Sequence, residues 1–335
     1  MVVRSKRTTS KRGVKKQRRL AGAEAVAIRT LLSPLIPARV RAGERASQAT
    51  LLIPWQSTPS DVQPGSSLHL DDKEFPDEVS DFVGTGALVR YHTLFPAMSA
   101  AENLTTVAHL IGRWDATGKL RTASIITLCR SALESASRAV WVLSESDRDE
   151  RRNRALRITR DEIQRHKKYV TEQVTRLSAN EVPAGAGPLP FETTKHLNRL
   201  KEQKTGAESA MGILVGADVK GVPTMEQIID ASAEWIDSNK LVKSGRPMAN
   251  LTRQQYSIAS GIAHGSTWPT KYLLGTTDLH SVVADLLYVS LTTTEAAIVL
   301  WETQTSVHPH VARKCPQHLR LAARQLHPRY SAPSE

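Results

Sequence analysis

The sequence predicts an all-α protein: an up-and-down helical bundle preceded by a disordered basic arm and an irregular proline-rich segment. Three observations predict it. Apolar residues recur at helical spacing from about Ala100 onward, no alternating run is long enough to build a sheet, and neither βαβ spacing nor a fixed-period repeat recurs. With 335 residues, 40% hydrophobic and 23% charged, the chain can bury a core, and the composition excludes collagen, a coiled-coil rod and wholesale disorder.

The first element is the arm, residues 1–20, where Arg4, Lys6, Arg7, Lys11, Arg12, Lys15, Lys16, Arg18 and Arg19 stand without an acid. They carry nine of the formal net charge of +12 and leave +3 for the remainder. Such a segment repels itself and is attracted to phosphates. No secretory signal is expected, since residues 20–36 are interrupted by Glu24, Arg29, Ser33 and Pro34. No membrane span is expected either, because the most hydrophobic stretch, residues 279–301, carries Asp285 and Glu295. Two cysteines, Cys129 and Cys315, make no disulfide framework and fit a reducing cytoplasm.

Residues 21–98 read as an irregular region with one short helix over 21–47, ended by Pro34 and Pro37. Pro54, Pro59, Pro64, Pro76 and Pro96 break any long element between 51 and 96. The acidic run Asp71, Asp72, Glu74, Asp77, Glu78 and Asp81 reads as a solvated loop, or as a partner for the basic arm. Gly84 and Gly86 lack the third glycine of a dinucleotide loop.

The bundle is expected over 99–305. Its first helix covers 99–114 and its second 120–143, where Ile125, Leu128, Cys129, Ala132, Leu133, Ala136, Ala139, Val140 and Leu143 share one face and Arg130, Glu134, Arg138 and Trp141 the opposite one. Ser146 caps the next helix, with Asp147, Asp149 and Glu150 where the dipole favours acids. Its seam of Leu156, Ile163, Val170 and Leu177 keeps a seven-residue spacing, so it is long, amphipathic and partly exposed, and its nine basic residues between 148 and 168 form a solvated face. Breaks at 182–190, 216–223 and 243–247 separate helices near 191–213, 224–237, 251–264 and 278–303, and a basic C-terminal helix at 311–326 lies within the region 306–335.

The chemistry concentrates in residues 253–268. In a helix there, Ser257, Ser260 and His264 share a stripe with Gly261 beside it, a small-residue face that another helix can approach. Gly265, Ser266 and Pro269 stop the helix and leave His264 in the last turn, where the dipole favours a cation. His264 reads either as a general acid or base or as a buried histidine bonded to Ser260 or a carbonyl. Arg130, Glu134 and Arg138 at i, i+4 and i+8 read as surface ion pairs, or as a buried set that orients His264 or binds phosphate. His308, His310, Cys315 and His318 match no tetrahedral zinc module, so no metal is expected; with Arg313, Lys314, Arg320, Arg324 and Arg329 they read as a partner surface or phosphate contact. The serine elbow, phosphate loop, zincin and paired Cys-x-x-Cys motifs are missing from the sequence, and no cofactor is expected.

Arg130-Ser-Ala-Leu-Glu134, Glu150-Arg-Arg-Asn-Arg154 and Ile262-Ala-His-Gly-Ser266 together resemble the HEPN-like all-helical superfamily, in particular its bacterial branches, over about residues 100–303. The resemblance implies a helical bundle, often dimeric, and for many members a metal-independent ribonuclease of toxin–antitoxin or phage-defence type. That family places an arginine four to six residues before the histidine, where this chain has Ile258, Ala259 and Ser260. Arg253 lies too far along the helix axis, about 16 Å, to share a phosphate with His264. Arg130 or Arg154 is the expected substitute, which makes His264, Arg130, Glu134 and Arg154 the candidate catalytic residues. Three functions follow as expectations. The first is a non-catalytic module that binds the phosphate backbone of RNA or DNA through the arm; the second is a ribonuclease using His264; the third is a scaffold meeting an acidic protein, with a homodimer compatible with each.

Overall fold

The computed structural model describes residues 37–331 apart from 74, 180–190, 242–246, 274 and 309–313. The basic arm, most of the 21–47 helix, the 182–190 linker and His310 therefore lie outside the described residues. Among those described, every regular element is helical and the elements pack into one bundle, as the sequence predicts.

The proline-rich region departs in part from its expectation: residues 58–66 and 84–87 are irregular and, among the described residues, no long element forms between 51 and 87, but short helices intervene. In order, α1 (Ala38–Ala49), a 3-10 turn (Thr50–Leu52), α2 (Ile53–Ser57), α3 (Ser67–Asp71) and α4 (Asp77–Val83) precede α5 (Leu88–Thr117). Two of the prolines fall where helices tolerate them, Pro54 in the first turn of α2 and Pro76 as the N-cap of α4. Pro96 lies inside α5, so that helix begins eleven residues before the expected start. The ring removes one helical hydrogen bond, and the burial of Leu88, Val89, Ala97, Ala100, Ala101 and Leu104 outweighs that loss. Helix α1 buries Ala38, Ala42, Ala46 and Ala49, a methyl-only face that lies close against α5 and the core.

Two acids of the acidic run are not solvated, while Asp77, Glu78 and Asp81 are exposed on α4. Asp71 is fully buried, and its carboxylate takes Arg151 Nε at 2.6 Å and Nη2 at 2.8 Å. Arg151 spends its remaining donors on the carbonyls of Glu145 and Ser146 and on Ser67 Oγ. Asp72 Oδ1 accepts the backbone N–H groups of Val89 at 2.9 Å and Arg90 at 3.2 Å, which caps α5 from outside the helix. Burial pushes its carboxyl up to about 6.

At the centre is α6 (Thr122–Leu143). Its predicted apolar face is buried, with Leu128 at the edge, and Ile126, Ser137, Trp141 and Val142 are buried as well. Helix α7 (Arg148–Ala179) pairs with α8 (Phe191–Gly216) and buries Ile163 and Val170 of the predicted seam. Next come α9 (Met225–Ser238), opened by a Thr224–Gln227 capping box, and α10 (Met248–Ala263). Helix α11 (Thr276–Gln304) runs parallel to α6: Ser290 Oγ donates to the Cys129 carbonyl and Gln304 Nε2 to the Leu143 carbonyl, each at 2.8 Å. By length and composition α11 is able to cross a membrane, but 72% of its most apolar window is buried inside the bundle. Helix α12 (Arg320–Tyr330), later than expected, docks through Tyr330, whose hydroxyl donates to the Ser144 carbonyl at 2.7 Å.

His92 of α5 fixes α7 in place. Thr159 gives its hydroxyl proton to the Ala155 carbonyl, so its oxygen accepts from His92 Nε2 at 2.7 Å. Burial, and then the Arg138 charge, push this imidazole down to about 4 from an ordinary 6.5.

Two stability measurements follow. Asp71→Ala leaves Arg151 buried without its counter-charge and is expected to cost about 3–5 kcal/mol in denaturant unfolding, whereas an apolar replacement of both residues restores most of the loss. For His92, the unfolded chain takes up the proton first, so its contribution is complete above about pH 6.5 and is lost as pH falls toward about 4, up to ~3 kcal/mol. Asp72 works in the opposite sense, its contribution declining as pH rises from 3.8 toward about 6. The His92 effect is therefore read as the difference between wild type and H92Q across that window.

Candidate functional site

Helix α10 runs antiparallel to α6, and its length is set by caps at both ends. At the start, Asp237 from the last turn of α9 accepts the N–H groups of Met248 at 2.8 Å and Ala249 at 3.1 Å. At the end, His264 is the C-cap and Gly265 turns the chain with φ +69°. These caps bring two side chains of α10 onto the polar stripe of α6. The Tyr256 hydroxyl donates to Glu134 Oε1 at 3.1 Å, and His264 Nε2 lies 3.3 Å from Arg130 Nη1.

Arg130 joins the set. Its Nε lies 2.8 Å from Glu134 Oε1, an ion pair without an aligned N–H···O hydrogen bond, and its guanidinium stacks 5.7 Å from the Tyr256 ring centroid. Burial, followed by the Glu134 charge, pushes the Tyr256 phenol up, so it remains a donor. A guanidinium only donates, so in this contact His264 Nε2 is the acceptor. His264 is exposed, which corrects the buried-histidine expectation. Only its backbone N–H bonds Ser260, at the carbonyl, because the end of α10 turns the imidazole toward α6.

Among the described residues the group nearest to Gly261 is the 3-10 turn Trp268–Tyr272, which folds back over it. A Cβ at this position would meet Pro269 Cγ at 2.7 Å and Trp268 Cζ2 and Cε2 at 2.8 and 2.9 Å, so the glycine is what seats the turn. Trp268 still exposes 41% of its surface. The seat forms one wall of an open cavity of about 250 Å³, with His264 and Tyr256 beside Ser257, Ser260 and Ser266. Glu226, in the first turn of α9, is the acid among the described lining residues.

The other candidates lie elsewhere. Arg154 donates to the Trp141 carbonyl at 2.6 Å, Glu145 Oε1 at 2.5 Å and Glu150 Oε1 at 2.9 Å, so it belongs to the α6–α7 turn. Trp141 is eleven residues along α6 from Arg130, about 16 Å away. Arg138 pairs with Glu162 of α7 at 3.9 Å, and Arg253 holds Asp230 at the surface. Among the described residues no three His, Cys, Asp or Glu side chains are grouped to hold a metal. Cys315 is buried, with its thiol pushed up to about 12, and His318 Nε2 lies 2.8 Å from Glu295. The arm residues Arg4 to Arg19 are outside the described region.

Sequence reasoning thus brought His264, Arg130 and Glu134 to one place and missed Tyr256, Glu226 and Trp268. Tyr256 adjoins the small-residue stripe, and Gly261 within that stripe marks a close approach, although its partner is the chain's own turn. Comparison with protein-family models, curated proteins and solved structures finds no match to this chain.

Proposed function

We propose that this chain is an RNA-associated, HEPN-like protein that cleaves RNA without metal at His264, with Arg130 as the phosphate ligand and the basic arm supplying affinity. One observation carries the reading: Arg130 and His264, far apart in sequence, meet at 3.3 Å beside an open cavity. On this reading α6 supplies the arginine that α10 does not place four to six residues before His264. A phosphate oxygen is a stronger partner for a guanidinium than a neutral imidazole is. On binding RNA, Arg130 redirects its N–H hydrogen bond from His264 to the phosphate, which frees the His264 Nε2 lone pair. The imidazole then takes the proton of the 2′-hydroxyl while O2′ attacks phosphorus, the P–O5′ bond breaks and O5′ leaves with a proton from water. The products are a 2′,3′-cyclic phosphate and a 5′-hydroxyl. Glu226 lines the same cavity and repels a phosphate from its own wall.

A second reading, binding without cleavage, is favoured by Glu134, whose carboxylate already neutralises Arg130. The experiment is incubation of labelled RNA with the full chain in EDTA, resolved on a denaturing gel. Cleavage to cyclic-phosphate ends is expected, with DNA left intact, and His264→Ala and Arg130→Ala should each slow it by at least about a hundredfold. Equal cleavage by the variants contradicts the assignment. Intact RNA in every lane, with affinity that collapses on removing residues 1–20, selects binding alone.

A further inference from the structure

We propose that Trp268 is a nucleobase subsite, so that the site takes single-stranded RNA with an unpaired base beside the phosphate held by Arg130 and His264. The inference rests on the RNA reading above and adds the form of RNA recognised. Trp268 lines the same cavity as His264. The indole keeps 41% of its surface exposed while its six-membered ring is seated on Gly261, where a Cβ would collide with it, and Pro269 stiffens the turn that carries it. A side chain fixed in this way loses little conformational freedom when a ligand stacks on it. Tyr272, 67% exposed, lies 6.1 Å away in a T-shaped arrangement, so a second aromatic surface continues from the first.

The polar lining suits a base edge. Ser257 gives its hydroxyl proton to the Arg253 carbonyl and keeps acceptor capacity, while Ser260 and Ser266 offer hydroxyls that both donate and accept. Rotatable hydroxyls impose little sequence pattern, and stacking tolerates every base. Duplex RNA keeps its base faces inside an A-form stack and presents phosphates, 2′-hydroxyls and minor-groove base edges, so it reaches the arginine but offers the indole no face to stack on.

The test measures the Kd of the full chain by fluorescence anisotropy. The probe is a short 2′-O-methyl RNA, which cannot be cleaved, used intact, abasic at each position in turn, and as a duplex. Wild type is expected to prefer the intact single strand and to lose affinity when one particular base is removed. Trp268→Ala should bind the single strand about ten- to a hundredfold more weakly and no longer distinguish intact from abasic RNA. Trp268→Phe should keep most of the discrimination. Gly261→Ala, which retains the indole but unseats it, should resemble the alanine variant. Wild-type affinity in Trp268→Ala, or indifference of wild type to every abasic position, overturns the subsite and leaves the RNA reading standing. If wild type binds no RNA in any form, both fail together.

Discussion

Helix α6 is enclosed on most of its circumference, and that enclosure decides where charge can sit in this molecule. Helices α5, α9, α10 and α11 all pack against it, so a polar side chain on α6 is stable only where a neighbour satisfies it. The remaining stripe carries Arg130, Glu134 and Arg138, and each finds a partner on a different element. Glu134 takes the Tyr256 hydroxyl, Arg138 faces Glu162, and Arg130 meets Glu134 and His264. The candidate site is the place where this stripe reaches the surface, at the end of α10.

The arrangement depends on backbone caps far from the chemistry. Asp237 fixes where α10 begins and Gly265 fixes where it ends. A slip of one residue in α10 would rotate His264 by about 100° away from Arg130. On the proposed reading the contact is also convertible. Arg130 is held by a carboxylate, an aromatic face and an imidazole, and of these the neutral imidazole is the weakest partner to exchange for a phosphate oxygen.

Periodicity made much of the bundle readable in advance. The α6 face from Ile125 to Leu143 and the α7 seam through Ile163 and Val170 are buried largely as the 100° count requires. Between 51 and 87 the prolines do keep the helices short, but Pro96 does not stop α5, because burial of the α5 face outweighs the lost hydrogen bond. Asp71 and Asp72 looked like solvent-facing acids since their partners, Arg151 and the first turn of α5, lie 80 and 17 residues away. Within the site, the Gly261 stripe announced a close approach. That the approaching group is the chain's own Trp268 follows from the turn at Gly265, which no helical pattern encodes.

The most direct measurement is a crystal structure of the full chain with a single-stranded 2′-O-methyl RNA. The account predicts one phosphate group within hydrogen-bond reach of both Arg130 and His264, with the direct contact between those two side chains broken. A complex in which that contact persists and every phosphate lies elsewhere would contradict it.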